Sequence, residues 1–235
     1  QSIYGYSGAN AFAIMDMLRK RRTCEELTLS MNFRSSQLVV EHANNYSSLT
    51  AVPFSKEQGQ VHKDILLFED LLHLVKEKPE VAILVRTNAV IKEIEKRFLL
   101  RKIPIQYKNY LTEQECDDLK KAKENFVTKK KIKHLLPVYK TVDNIIEFIE
   151  NCNQNCKSFI KRIHKSKGLE WDIVVLVNCV SQEILNHNEI KDLTKEQFEQ
   201  LSFDMNNPDH EEAKNVFYVG VTRPKKELFF SLVDF

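Results

Sequence analysis

The chain has 235 residues, 43% of them hydrophobic, and a formal net charge of only +2, an ordinary globular composition with no bulk basicity to announce a nucleic-acid partner. No apolar run approaches the roughly 18 residues of a membrane span, and no basic flank precedes an apolar core as in a secretory leader. Five cysteines, an odd number scattered along a Lys-rich chain, argue against a disulfide scaffold and for a reducing, cytoplasmic setting.

Residues 1–10, QSIYGYSGAN, read as a loop that brings its backbone close to a ligand and offers two aromatic faces. AFAIMDMLRK has helical spacing, and EELTLSMNFRSS rises as a strand into a polar turn. SQLVVEHANNY resumes helical spacing, with Ser35 or Ser36 as N-cap. EVAILVRTN is the clearest strand. AVIKEIEKRFLLRK follows as an amphipathic helix with Val90, Ile91, Ile94 and Phe98 on one stripe, and IPIQYK reads as a short strand. That order predicts a βαβ unit and a parallel sheet. Residues 111–156 are polar, Lys-rich and helical in pattern, with seven Lys against one Glu between Lys120 and Lys133. SFIKRIHKSKGLEWDIVVLVNCV returns to strand, turn, strand. Residues 181–210 are an irregular acidic excursion with a short helix; between Glu183 and Glu212, nine acids meet two Lys. EEAKNVFYVGVT is helical and KELFFSLV a final strand. Both charge runs fit solvated faces. The fold class expected is α/β, a parallel sheet domain with a small helical insertion.

In open α/β sheets ligands bind beyond the carboxyl ends of the strands. Arg34, Arg86, Lys167 and Arg223 each follow an apolar run, so they are expected to converge on one rim, either to hold phosphate or to pair with surface carboxylates. No segment of the form G-x-x-x-x-G-K-[ST] exists in the chain, and no acidic pair at a strand end suits Mg²⁺. The domain can supply charge to a nucleotide without cradling its phosphates, which describes half of an active site. Cys152 and Cys156 lack the further Cys or His pair that a zinc site needs. His164 has only Ser166 as a neighbouring nucleophile, which favours binding over hydrolysis.

Five ordered motifs then resemble the C-terminal half of UvrD/Rep/PcrA-like superfamily 1 DNA helicases: QSIYGYSGA the end of motif III, LSMNFRSS motif IV, AILVRTNA the motif between IV and V, IHKSKGLEWD motif V, and EEAKNVFYVGVTRPKKEL motif VI. The resemblance implies a second RecA-like motor domain of the P-loop-NTPase type. Residues 1–20 would be the end of the first RecA-like domain and a connector, 21–107 and 158–235 the second domain, and 108–157 a reduced accessory insertion. It implies ATP in the cleft between the two domains, with the phosphate loop and Mg²⁺ ligands on the first. Gln1 would sense the γ-phosphate, and Arg34 and Arg223 would reach it as arginine fingers. Phe33, in place of the usual Tyr, would cover the adenine, Glu170 would meet the ribose, and Gly168 would let that turn approach the nucleotide.

On the DNA side, the resemblance places Tyr6, where the family usually has Trp, against a base of the single strand. Tyr4 is its aromatic neighbour, with core packing as the other reading. Arg86, Asn88, His164, Lys165 and Ser166 would touch the strand's backbone. Ser7 replaces a frequent Arg, and Pro224 replaces an Ala-like residue after the motif VI arginine, stiffening that loop. The activity implied is an ATP-dependent DNA helicase or translocase, 3′→5′, in repair or replication, inactive without the phosphate-loop domain. Alternatives are a translocase serving a partner nuclease and a non-catalytic nucleic-acid-binding module. Expected partners are single-stranded DNA, single-strand/duplex junctions and the N-terminal RecA-like domain.

Overall fold

The structure is a computed structural model that describes residues 11–21, 25, 27, 29–47, 49–120, 130–181, 184, 202–203 and 210–233. In chain order its elements are α1 (Ala11–Arg19), β1 (Met31–Asn32), α2 (Gln37–Asn44), β2 (Val52–Pro53), β3 (Gln60–Leu66), α3 (Phe68–Glu77), β4 (Val81–Val85), α4 (Asn88–Leu100), α5 (Glu113–Lys120), α6 (Leu136–Tyr139), α7 (Val142–Asn155), β5 (Phe159–Arg162), β6 (Trp171–Val177), β7 (Val180–Ser181), β8 (Ser202–Phe203), α8 (Glu211–Val221) and β9 (Pro224–Ser231), with 3-10 turns at Lys133–Leu135 and Ile163–Ser166.

Five strands form one all-parallel sheet in the order β3-β9-β6-β4-β5. All five residues of β4 are buried, as a strand covered on both faces requires. Val81, Ile83 and Val85 pack toward α3, α4 and α7, while Ala82 and Leu84 pack toward α2 and α8. The period-two alternation of the pleat thus splits one apolar run between two helical layers. On α4, Ile91, Ile94 and Phe98 are buried and Val90 packs beside them, so the expected stripe faces the sheet.

Two local expectations are corrected. The strand in EELTLSMN is confined to Met31–Asn32, with no strand at the described residues 25, 27, 29 and 30. IPIQYK is not a strand and makes a single parallel bridge, Gln106 to Phe159. Its alternation is genuine, since Ile103, Ile105 and Tyr107 are buried. Pro104 has no N–H for a ladder, however, and the Ile105 amide turns back to the Ile103 carbonyl at 3.1 Å. The parallel partner that β4 gains on this side is β5. Residues 52–77 carry β2, β3 and α3, elements that the sequence pattern does not announce.

The segment 108–157 forms α5, α6 and α7, and its Tyr110, Cys116, Leu135, Tyr139, Ile145 and Ile149 lie in the same hydrophobic cluster as α3, α4 and one face of the sheet. Thr141 caps α7 by accepting from the Asn144 amide. Among the described residues no helix is long and apolar enough to cross a membrane.

One core residue is out of character. Glu95 on α4 is fully buried. The Asn109 side-chain amide donates to its Oε1 at 3.0 Å, while Oε2 has no partner. Burial pushes its pKa up to about 7, against the opposing pull of the Asn109 bonds and Lys131. The folded state therefore binds the proton more tightly than the unfolded chain, and this contribution to stability is full below the ordinary carboxylate value of 4.5 and lost as pH rises through about 7. Glu95→Gln, which mimics the protonated acid, should match the parent at about pH 4 in urea unfolding and exceed it by roughly 1–3 kcal/mol at about pH 8. Equal stabilities at the higher pH would contradict the buried, charge-averse setting of Glu95.

Candidate functional site

The amino ends of β6 and β9 carry the densest set of charged motif residues, and the path that brings them together starts in the backbone. Asn32 Oδ1 accepts from the amides of Arg34 and Ser35 at 2.9 and 3.0 Å, which winds the chain after β1 into a tight turn. Ser35 Oγ then donates to the Pro224 carbonyl at 2.8 Å, and the Ser36 amide donates to the Lys225 carbonyl at 2.8 Å. The turn is thereby tied to the first residues of β9, directly after Arg223. Gln37 and Leu38 donate to the carbonyls of Glu57 and Gln58. The next residue, Gly59, has φ +65°, and a Cβ there would lie 1.9 Å from Ser36 Oγ.

Within this frame Arg34 Nε donates to Glu170 Oε2 at 2.6 Å. Both side chains are partly exposed, at 33% and 46%. Arg223 is buried. Its Nε donates to the Val219 carbonyl at 2.8 Å, Nη1 to the Leu169 carbonyl at 3.0 Å and Nη2 to Thr222 Oγ1 at 2.9 Å. Burial, then the neighbouring Arg34, push its pKa from 12.5 down to about 10, with Glu170 opposing, so it remains a cation at neutral pH. Pro224 is the first residue of β9, where the missing N–H breaks no ladder bond. Gly168, at φ +86°, turns the chain toward Leu169 and Glu170.

Phe33 is 70% exposed beside Phe54, which is 63% exposed, with ring centroids 4.8 Å apart and tilted by 41°. The β1–β2 pairing sets them side by side, because the Phe54 amide donates to the Asn32 carbonyl at 2.8 Å. A groove of about 520 Å³ runs past Leu29, Met31, Phe33, Arg34, Ala51 and Glu170. This edge offers an apolar platform, two cations and a carboxylate.

The other expected residues lie elsewhere, and the expected four-cation rim is corrected. Arg86 follows the carboxyl end of β4, at the opposite edge of the parallel sheet from Arg34 and Arg223, which sit at the amino ends. Lys167 lies in the crossover between β5 and β6. The carboxyl edge gathers Arg86, the exposed Asn88 at the start of α4, and His164 and Lys165 in the turn after β5. His164 is held below its ordinary pKa by burial first, then by Arg162 and Arg86, with Glu212 opposing, so it is neutral at pH 7. Ser166 is fully buried, and its hydroxyl donates to the Ile163 carbonyl at 2.6 Å, which shapes that turn from within. Gln1, Tyr4 and Tyr6 lie outside the described residues. Among the described residues no group of three His, Cys, Asp or Glu could hold a metal ion. Burial, then Cys156, push the Cys152 thiol up to about 12.

A five-stranded parallel sheet between helical layers, with motif-borne cations at the strand ends, defines a RecA-like α/β motor domain. The profile of the UvrD-like helicase C-terminal domain matches residues 114–234, from α5 to the last strand. The chain belongs to this helicase family, a family of nucleic-acid-binding motor domains. No curated protein matches the chain. The matched stretch includes most of the helical segment that the five motifs pass over.

Several residues that matter here either lie inside the motifs without a role expected of them, as Asn32, Ser35 and Asp172 do, or lie outside the motifs, as Phe54 does. Asn32 and Ser35 act through backbone bonds, and Phe54 comes beside Phe33 only through the β1–β2 pairing. Asp172 holds Lys225 and Lys226 at 2.9 and 2.8 Å, which fastens β6 to β9 at this edge. The isolated Gly in QGQ is the one sequence signal for the close approach at position 59. Gly59→Ala should lower stability by more than about 1 kcal/mol, because the residue is left-handed and its Cβ meets Ser36. An unchanged urea midpoint would show that the turn bearing Arg34 is not held against this glycine.

Proposed function

We propose that the chain is the ATP-responsive half of a DNA helicase or translocase motor, with nucleotide at the amino edge and single-stranded DNA at the carboxyl edge. The observation that carries this reading is the pairing of Arg34 with Glu170 beside the buried Arg223, next to an exposed aromatic pair, in a chain of the UvrD-like helicase C-terminal family.

The residues fit the terminal phosphate and base of ATP better than they fit its metal. Arg34 has Nη donors beyond the one bond to Glu170, and an arginine offers five N–H groups, of which Arg223 uses three on protein oxygens. Guanidinium groups suit the equatorial oxygens of a transferring phosphoryl group. Phe33 and Phe54 present faces on which a base can stack. Glu170 has a second oxygen to accept from a ribose hydroxyl. Mg²⁺ and the phosphate loop are assigned to a companion RecA-like domain, so turnover requires that domain. Bound ATP supplies the phosphoryl group, and this chain's part is to orient it and to balance its charge. On the opposite edge, Arg86, Asn88, His164 and Lys165 hold the strand by contacts that read backbone rather than sequence, in a turn that Ser166 shapes. Gln1, Tyr4 and Tyr6 complete the coupling loop in this reading, and translocation runs 3′→5′.

Arg34 gives the cleaner test, since Arg223→Ala would also strip three bonds from the fold. In the protein carrying both RecA-like domains, Arg34→Ala should lower DNA-stimulated ATP turnover by about 10³-fold or more, with DNA affinity and the unfolding midpoint held. Turnover within a few-fold of the parent rules the reading out.

A further inference from the structure

We propose that the groove along the open edge of the sheet, at β5, is a second binding track for a single nucleic-acid strand. It would grip phosphates through Lys108, Lys157, Lys161 and Lys165 and offer Trp171 to a base. The proposal extends the nucleic-acid grip assigned above to Arg86 and Asn88, and it rests on that reading for its class of ligand.

β5 is an edge strand, paired along its length only with β4. On its outer side it meets the single bridge from Gln106 and one bond from the Asn109 side chain to the Ile160 carbonyl at 3.2 Å. A groove of about 730 Å³ follows this edge from Glu80 and Lys157 at the amino end to Asn88 and Lys165 near the carboxyl end. Its four-residue floor spans about 13 Å at ~3.3 Å per residue.

The charge of the lining sets the groove apart. Lys108, Lys157, Lys161, Arg162 and Lys165 all line it, and none has a carboxylate partner among the described residues, so several cations share one groove without a bonded counter-charge; Lys78, Lys120 and Lys131, by contrast, are each paired, with Glu227, Glu150 and Glu115. Two carboxylates, Glu80 and Glu170, also line the groove, and Glu170 is taken by Arg34. Cations crowded without counter-charge repel one another, and a ligand carrying regularly spaced negative charges relieves this. An acidic peptide would meet the charge alone. The floor adds aromatic surface: Phe159 and Trp171 pack edge to face at 5.2 Å, and the Lys161 ammonium lies 5.3 Å from one ring centroid and 5.8 Å from the other. Unpaired cations beside an aromatic face are the elements with which proteins hold single strands without regard to sequence. The groove also opens onto Asn88 and Lys165, so one strand can pass from the carboxyl edge into it.

The chain has one tryptophan, Trp171, so intrinsic fluorescence reports this groove. Titrating the 235-residue chain with an oligothymidylate should give a saturable change in Trp171 emission. Replacing Lys108, Lys157 and Lys161 together with Gln should weaken binding and reduce the slope of log affinity against log salt by about 2, at roughly 0.7 for each phosphate of a single strand that a lysine neutralises. Arg86→Ala should weaken binding while the Trp171 response persists at saturation. An unchanged slope in the triple variant, or an equal Trp171 response to polyglutamate, overturns the track. If Arg86→Ala weakens binding while the triple variant does not, the track alone fails. If neither variant affects binding, the carboxyl-edge grip fails with it.

Discussion

Two short hydrogen bonds hold the amino edge together: Ser35 Oγ to the Pro224 carbonyl and the Ser36 amide to the Lys225 carbonyl. They join positions 189 residues apart in the chain. β9 lies inside the sheet between β3 and β6, so Arg223, one residue ahead of it, has a fixed height. Arg34 has no comparable anchor of its own. β1 pairs only with the two residues of β2, outside the main sheet. The serine hook bonds the turn bearing Phe33 and Arg34 directly to a strand of the five-stranded sheet, just ahead of where α2 packs onto it. Proline suits position 224 because the hook asks for a carbonyl there and the ladder asks for no N–H.

A parallel sheet has two chemically distinct edges, and this one divides its charged residues between them. The crossover from β5 to β6 spans both. His164 and Lys165 stand at its start near the carboxyl edge, and Gly168 and Glu170 at its end by the amino edge. Between them Ser166 is bonded inward to Ile163, and the Leu169 amide donates to the Ser166 carbonyl at 2.9 Å. Ile163 itself is buried in the cluster that contains Leu176 and Phe217. Among the described residues this is the one segment that supplies candidates to both edges, and it is internally bonded and packed rather than a loose loop.

The elements legible in the sequence are those whose pattern has a single reading. Val81–Val85 is too short and too apolar for anything but a buried strand, and the stripe on α4 keeps its period over three turns. IPIQYK misleads because alternation reports which side chains are buried, not where the amides donate. The motifs point to both arginines but not to their edge. Ligand sites at strand carboxyl ends are a rule for residues that follow a strand, and Arg223 precedes one. Of the lysines of the β5 groove, 157, 161 and 165 share the short stretch KSFIKRIHK, but Lys108 and the aromatic floor at Trp171 join them only through the fold. The window that does stand out, 120–133, includes Lys120 and Lys131, which are already paired with Glu150 and Glu115.

The electrostatics of the amino edge are unbalanced in a way the fold itself does not correct. Arg223 is buried with carbonyl and hydroxyl partners and no carboxylate of its own, and Arg34 lies close enough to depress its pKa. Glu170 is the one carboxylate bonded to either guanidinium among the described residues, and its bond goes to Arg34. A partly exposed pair of this kind is worth about 1 kcal/mol or less. That is enough to bias Arg34 toward one orientation and too little to withhold it from a phosphate, which can take two parallel charge-assisted bonds from a guanidinium where Glu170 takes one. A stronger, buried pair would lock the Arg34 side chain in place, and with no pair the long side chain would be free to wander. The exposed Arg34–Glu170 contact lies between those limits, keeping one cation oriented and releasable beside another that the fold holds fixed.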